Sequence, residues 1–334
     1  MSMTSRSVEA VAETCQRLQF GQGWSTQRLA QCCGVRKEPL FDSVVTSLFA
    51  EGLIPPGSIV DAGANLGTES CFFSVTGPNR TIHAIDPLQV NINFIQRRFV
   101  ERRRRHSIIP LLGGLGSISK TLAVPLRKSS IVGGQISIAP ESARGGTEIV
   151  ANLLHGHGAR LSLESNQTFP VEPLDVLFTE RWRDERLGFG HFDVEGGELE
   201  LLRGASATLL RDRPTFIFEC HVHVRRSHTT ALLRFVESLD YVIYLLDEEC
   251  GWPLDCRNFL AVSRGGHEQL TQSRSMSFYL ANGRMLQVNS TSIFQHAYPF
   301  CGERRRSCMP SNRAKELART GKRLPPWNDT IWWT

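Results

Sequence analysis

Three carboxylates fall within six residues in the run His191-Phe192-Asp193-Val194-Glu195-Gly196-Gly197-Glu198. Carboxylates at that density are costly to pack unless they are solvated or used. Asp193 and Glu195 are candidates for a general base that takes a proton from an acceptor hydroxyl, with His191 as a third. An imidazole has a suitable intrinsic pKa, and on a strand His191 and Asp193 point to the same face; the competing reading of His191 is a satisfied core histidine. A second polar run, Glu219-Cys220-His221-Val222-His223, places Glu219, His221 and His223 on one face. With Asp193 these are donor types for a divalent metal. We read them instead as the polar wall of an acceptor pocket, with Glu219 and His221 as its candidates and no metal required.

A glycine turn supplies the second kind of chemistry. Asp61-Ala62-Gly63-Ala64-Asn65-Leu66-Gly67 follows a short apolar run, Ile59-Val60, and precedes a helical pattern. Glycines permit a tight turn and the close approach of a ligand to the backbone. Asp86 ends the next apolar run about 25 residues later, near the ~20 typical of a ribose-binding carboxylate. Such a carboxylate accepts from ribose hydroxyls. A dinucleotide site wants a glycine where Asn65 stands, so that a pyrophosphate can approach. S-adenosylmethionine has no pyrophosphate; it carries a carboxylate, an ammonium and a sulfonium. Backbone amides of the turn suit the carboxylate and Asp61 suits the ammonium. The cofactor-binding candidates are therefore Asp61, Gly63, Asn65, Gly67 and Asp86, and the cofactor they favour is S-adenosylmethionine.

The elements that position these motifs alternate strand and helix. Strands are predicted at Ile59–Ala62, Thr81–Ile85, Ile108–Leu112, Phe189–Val194, Thr215–Glu219, Tyr241–Leu246 and Asn258–Val262. Helices are predicted at 88–104, from Gly197 to Leu210, and at Thr229–Leu239. Alternation of this kind predicts βαβ units and a parallel sheet. Residues 1–57 read as a helical cap, with Val44, Val45 and Leu48 at helical spacing and Pro55-Pro56-Gly57 as the break. The methyl-transfer domain is expected over 58–265, with an irregular insertion at 113–170. Residues 266–334 read as a C-terminal extension with a partly disordered tail.

Taken together these residues resemble the FkbM family of methyltransferases. The resemblance rests on Asp61 to Gly67, Asp86-Pro87, Leu174-Asp175, Asp193 to Glu198, Leu202-Arg203-Gly204-Ala205 and Phe218-Glu219. It implies an α/β, Rossmann-like class I methyltransferase fold: a seven-stranded, mostly parallel sheet with helices on both faces. It implies S-adenosylmethionine at the first turn and, as the main activity, O-methylation of a small-molecule or glycan hydroxyl. The sequence departs from the family pattern at His191, where a lysine is usual, at Asp86, where glutamate is commoner, and across the insertion.

Composition excludes other classes. The 334 residues are 41% hydrophobic and 21% charged, with a net charge of +5, ordinary for a globular chain. No run of about 18 apolar residues predicts a membrane span. Arg97-Arg98 and Arg102 to Arg105 suit the end of a helix and raise the alternative of a nucleic-acid methyltransferase; the acidic Asp193–Glu198 run argues against it. A non-catalytic binding module is the other alternative, opposed by the intact turn. The nine cysteines lack any Cys-x-x-Cys pair and are read as free thiols of a cytoplasmic protein. Met1–Ala12 lacks the apolar core of a secretory signal. The sequons at Asn166, Asn289 and Asn328 are accordingly read as chance matches.

Overall fold

The computed structural model describes residues 32–34, 38–101, 107–126, 165–222, 226–248 and 256–297. Residues 1–31, 127–164 and 298–334 lie outside them, and with them most of the expected cap, much of the insertion and the tail. Arg102 to Arg105 and His223 also lie outside. The chain divides into two units, one comprising residues up to Lys37 with Leu48–Phe216, the other Glu38–Ser47 with Ile217–Thr334. Helix α1 (Pro39–Ala50) crosses the first boundary, and Val44, Val45 and Leu48 are buried on it.

The first unit is built on β1 (Ser58–Ala62), α2 (Thr68–Thr76), β2 (Ile82–Asp86), α3 (Gln89–Ile95) and β3 (Ile108–Leu112). Helix α3 widens into a π-helical turn over Gln96–Glu101. Strand β7 (Leu187–Phe192) returns beside β1, so the strand order is β7-β1-β2-β3. All three pairings are parallel, with Asp61 opposite both Ala84 and His191. Strands β1, β2 and β7 are buried along their whole length, which is why they read as continuous apolar runs rather than alternating ones. Phe73 of α2 packs edge-on against Phe189 of β7 at 5.3 Å. Burying each ring contributes about 1.5–3 kcal/mol.

The described ends of the insertion are ordered as a second, three-stranded sheet. Strands β4 (Gly114–Leu115), β5 (Lys120–Leu126) and β6 (Ser165–Glu172) run in the order β4-β6-β5, with β5 antiparallel to β6. A short helix α4 (Leu174–Val176) follows.

One predicted helix is two. The run from Gly197 forms α5 (Glu198–Arg203) and α6 (Ser206–Asp212). The break has a polar cause. The Asp175 carboxylate accepts from Ala207 N at 3.0 Å and Thr208 N at 2.7 Å, capping a new helix start. Gly204 O accepts from Asp175 N at 2.8 Å.

The second unit holds β8 (Thr215–His221, entered from the first unit after Phe216), α7 (Arg226–Ser238), β9 (Tyr241–Leu246) and β10 (Cys256–Ser263). It continues with α8 (Arg264–Gln272), α9 (Arg274–Ala281), β11 (Met285–Val288) and α10 (Ile293–His296). Its strand order is β11-β9-β10-β8, with β9 antiparallel to β10 and β11. Glu248 caps α1, accepting from Leu40 N at 2.8 Å and from Phe41 N. Strand β11 raises the strand count outside the small sheet from the expected seven to eight. It comes from the stretch read as an extension, because four residues are too few to show alternation. No helix among the described residues is long and apolar enough to cross a membrane.

The free-thiol expectation is corrected. Cys33 is bonded to Cys71 of α2, with Cα atoms 5.4 Å apart. Cys32 and Cys256 are each in a disulfide of their own. Among the described residues Cys220 is the free cysteine, and it is buried.

Candidate active site

The turn after β1 is built around one carboxylate. Gly63 N and Ala64 N donate to Ile85 O at 2.9 and 3.0 Å, which lays the turn against the end of β2. Asn65 takes the left-handed conformation at φ 46°, a region asparagine tolerates better than most residues. Its N–H then donates to Asp86 Oδ2 at 2.8 Å. Leu88 N and Asn91 Nδ2 donate to Asp86 Oδ1 at 2.8 and 3.0 Å. Asp86 is only 4% exposed. A carboxylate offers about four acceptor positions, so these donors leave room for one further hydrogen bond at Oδ2. Burial pushes the Asp86 carboxyl up to about 7, with a small push from Asp61, against the lowering by Leu88, Asn65 and Asn91.

The opposite wall is the exit of β7. Asp193 N donates to Ala62 O at 2.9 Å. Glu195 stands in the left-handed region at φ 54°, followed by Gly196 at φ 98°. Strained conformations of this kind persist where the surroundings over-determine them, and here Glu198 does so. Glu198 is 3% exposed, and its Oε1 accepts from Val194 N at 3.1 Å and Gly196 N at 3.0 Å. The third carboxylate of the motif is thus the brace of the loop.

Between these walls lies a pocket with about 670 Å³ of free space, solvent at its mouth included. Gly63, Asn65 and Asp86 line it from the turn side, and Asp193, Val194 and Glu195 from the β7 side. Ile85, Pro87, Leu115 and Phe169 supply an apolar wall. Gln167 ties that wall down: its Nε2 donates to Pro87 O at 2.6 Å and its Oε1 accepts from Gln89 N at 3.1 Å. Asn65 Oδ1 is buried without a hydrogen-bond partner.

Two expected site residues, Asp61 and His191, are bonded to each other and are not among the residues lining the pocket. Asp61 is fully buried, with Oδ1 hydrogen-bonded to His191 Nδ1 at 2.8 Å and Oδ2 accepting from the Ser70 hydroxyl. His191 is 6% exposed and packs edge-on to Phe73 at 5.6 Å. Burial lowers its imidazole, but the hydrogen bond and charge of Asp61, with Asp193 and Glu69 beyond, raise it further than burial lowers it. Gly67 starts α2 from the left-handed region, at φ 68°. In the second unit, Glu219 and His221 pair with each other, Oε1 to Nε2 at 3.3 Å. The residues that sequence reasoning missed are Asn91, Gln167, Phe169 and Glu198. Only Glu198 carried a signal, its place three residues after Glu195.

Parallel strands, a glycine turn after the first, an acid at the end of the second and an acidic exit from β7 define a Rossmann-type methyltransferase fold. The chain matches the model of the methyltransferase FkbM domain over residues 61–243, and it belongs to that family. Among solved structures it is similar to the FkbM methyltransferase of Methylobacillus flagellatus: 17% identity, 76% of this chain, 59% of that one, TM-score 0.37. It is also similar to an O-methyltransferase from Bacillus cereus solved with SAH: 9% identity, 79% of this chain, 93% of that one, TM-score 0.38. A third is fibrillarin from Aeropyrum pernix with S-adenosyl-L-methionine bound: 14% identity, 67% of this chain, 76% of that one, TM-score 0.34. The chain thus spans 59% of the length of the Methylobacillus protein. No curated protein sequence matches.

Proposed function

We propose that this chain binds S-adenosylmethionine in the pocket between the β1 turn and the β7 exit, and methylates a hydroxyl oxygen of a small molecule or glycan. The observation that carries this reading is the Asp86 carboxylate, held by Asn65, Leu88 and Asn91 with one acceptor position left at the pocket wall. A ribose hydroxyl fits that position. The apolar wall of Ile85, Pro87, Leu115 and Phe169 suits an adenine face. The orphaned Asn65 Oδ1 and the Asp193 side chain suit the methionine ammonium, taking the role sequence gave to Asp61.

Bound there, the cofactor supplies an electrophilic methyl group on a sulfonium. The protein must hold the acceptor oxygen in line and remove its proton. Glu195 is the group for that proton: it lines the pocket, and the brace from Glu198 fixes its backbone. Asp193, one strand position from the turn, serves the cofactor end.

Calorimetric titration tests the reading. Wild-type protein should bind S-adenosylmethionine, and Asp86→Ala should weaken binding by about 10- to 100-fold. A hydrogen bond to a charged group contributes about 1.5–3 kcal/mol, and each 1.4 kcal/mol is tenfold. No binding to the wild type would dismiss the proposal.

The raised Asp86 carboxyl adds a pH dependence. Below about 7 the free protein carries a proton on Asp86, and the neutral carboxyl is a weaker acceptor for a ribose hydroxyl than the carboxylate. Affinity should therefore rise as pH is raised through about 7, and Asp86→Asn should flatten that profile. The effect on stability has the opposite sign. A carboxyl raised above its unfolded value near ~4 contributes stability that is full below that value. That contribution is lost as pH rises through about 7. Added cofactor should accordingly raise the melting temperature more at pH 8 than at pH 6. An equal increment at both would remove Asp86 from the linkage.

A further inference from the structure

Asn289-Ser290-Thr291 forms the turn that follows β11, and both Asn289 and Thr291 are exposed. Asn289 Oδ1 accepts from Thr291 N at 2.9 Å, Thr291 Oγ1 at 2.7 Å and Ser292 N at 2.8 Å. Three donors fix the amide oxygen on the turn side. Nδ2 is therefore on the outer side, with no hydrogen bond to a described residue. Beneath it, Ser290 is buried, and its N and Oγ donate to Glu237 of α7 at 2.7 and 2.9 Å. The turn is a pinned base from which a bulky substituent projects into solvent.

The cysteines supply an independent observation. Cys33 is bonded to Cys71, and Cys32 and Cys256 are each in a disulfide of their own. Such pairing forms and persists in oxidising compartments. The pairing weighs against reading the sequons as chance matches. The side chain of Asn166 and all of Asn328 lie outside the described residues, so Asn289 is the sequon with visible geometry.

We propose that Asn289 carries an asparagine-linked glycan and that the protein matures in an oxidising secretory compartment. The donor class is a polyprenyl-diphosphate-linked oligosaccharide. Asn289 Nδ2 forms a bond to the anomeric carbon, the carbon–oxygen bond to diphosphate breaks, and Nδ2 gives up one proton. The lipid diphosphate leaves with the electron pair.

The test uses the protein recovered from the cells that naturally make it. One sample is alkylated before and after reduction; another is treated with an amide-cleaving glycosidase in heavy-oxygen water and mapped by mass spectrometry. The peptide containing Asn289 should carry heavy aspartate, and Cys33 and Cys71 should alkylate only after reduction. Asn289→Gln and Thr291→Ala, each expressed in the same cells, should lose the glycosidase-sensitive mobility shift from this site. An unmodified Asn289 in folded wild-type protein overturns the proposal, as does alkylation of Cys33 and Cys71 without reduction.

Discussion

Glu195→Gln should slow methyl transfer about 10²–10⁴-fold while leaving the affinity for S-adenosylmethionine within about threefold. The substitution keeps the size of the side chain and removes its ability to take a proton. The backbone should not move, because Glu198 holds Val194 N and Gly196 N on either side of residue 195. A loss confined to turnover marks a group that acts in the transition state. Asp193→Asn provides the contrast. Asp193 lines the pocket beside the cofactor turn, so loss of its side-chain charge should appear in cofactor affinity as well. Both variants are read by labelled-methyl incorporation into a metabolite extract, with calorimetry alongside. Full turnover by Glu195→Gln would eliminate it as the base.

Gly63→Ala should cost about 3 kcal/mol or more of stability, combining left-handed strain with overpacking. For a domain of this size that is a fall of about 6–12 °C in melting temperature. Gly63 sits at φ 85°, and a Cβ there would lie 1.7 Å from the carbonyl oxygen of Asp193. The clash is with backbone, so no side-chain rotation relieves it. Either the turn or the β7 exit must move, and both line the pocket. Cofactor binding should therefore fall below detection even in the folded fraction. A variant that melts within a degree or two of the wild type and binds normally would refute this account. Thermal unfolding with and without cofactor is the measurement.

Much of the pocket was legible because backbone geometry dictated it. Gly63 and Gly67 take positive φ, and Asp86 must end β2 where the turn can reach it, so residue type and spacing point there directly. The partners of Asp61 were not legible. Ser70 lies a helix start away and His191 far downstream, and they meet Asp61 only once β1 and β7 pair. The helix break at Gly204-Ala205 was hidden for a similar reason: its cause is a carboxylate some thirty residues upstream, Asp175. Phe169 and Gln167 fell in a stretch with no readable pattern, because a wall that packs on a ligand site needs shape rather than periodicity. The Cys33–Cys71 bond also lacked a signal, since cysteine spacing does not reveal connectivity.

Because protein donors already occupy most of Asp86, the β1 turn is arranged before any ligand arrives. Little of the chain has to be ordered on binding, so little of the interaction free energy is lost to entropy there. The cofactor half of such a site behaves like a fixed socket. Discrimination among acceptors then falls to what surrounds it, so homologues that share the socket can diverge in substrate while keeping one cofactor.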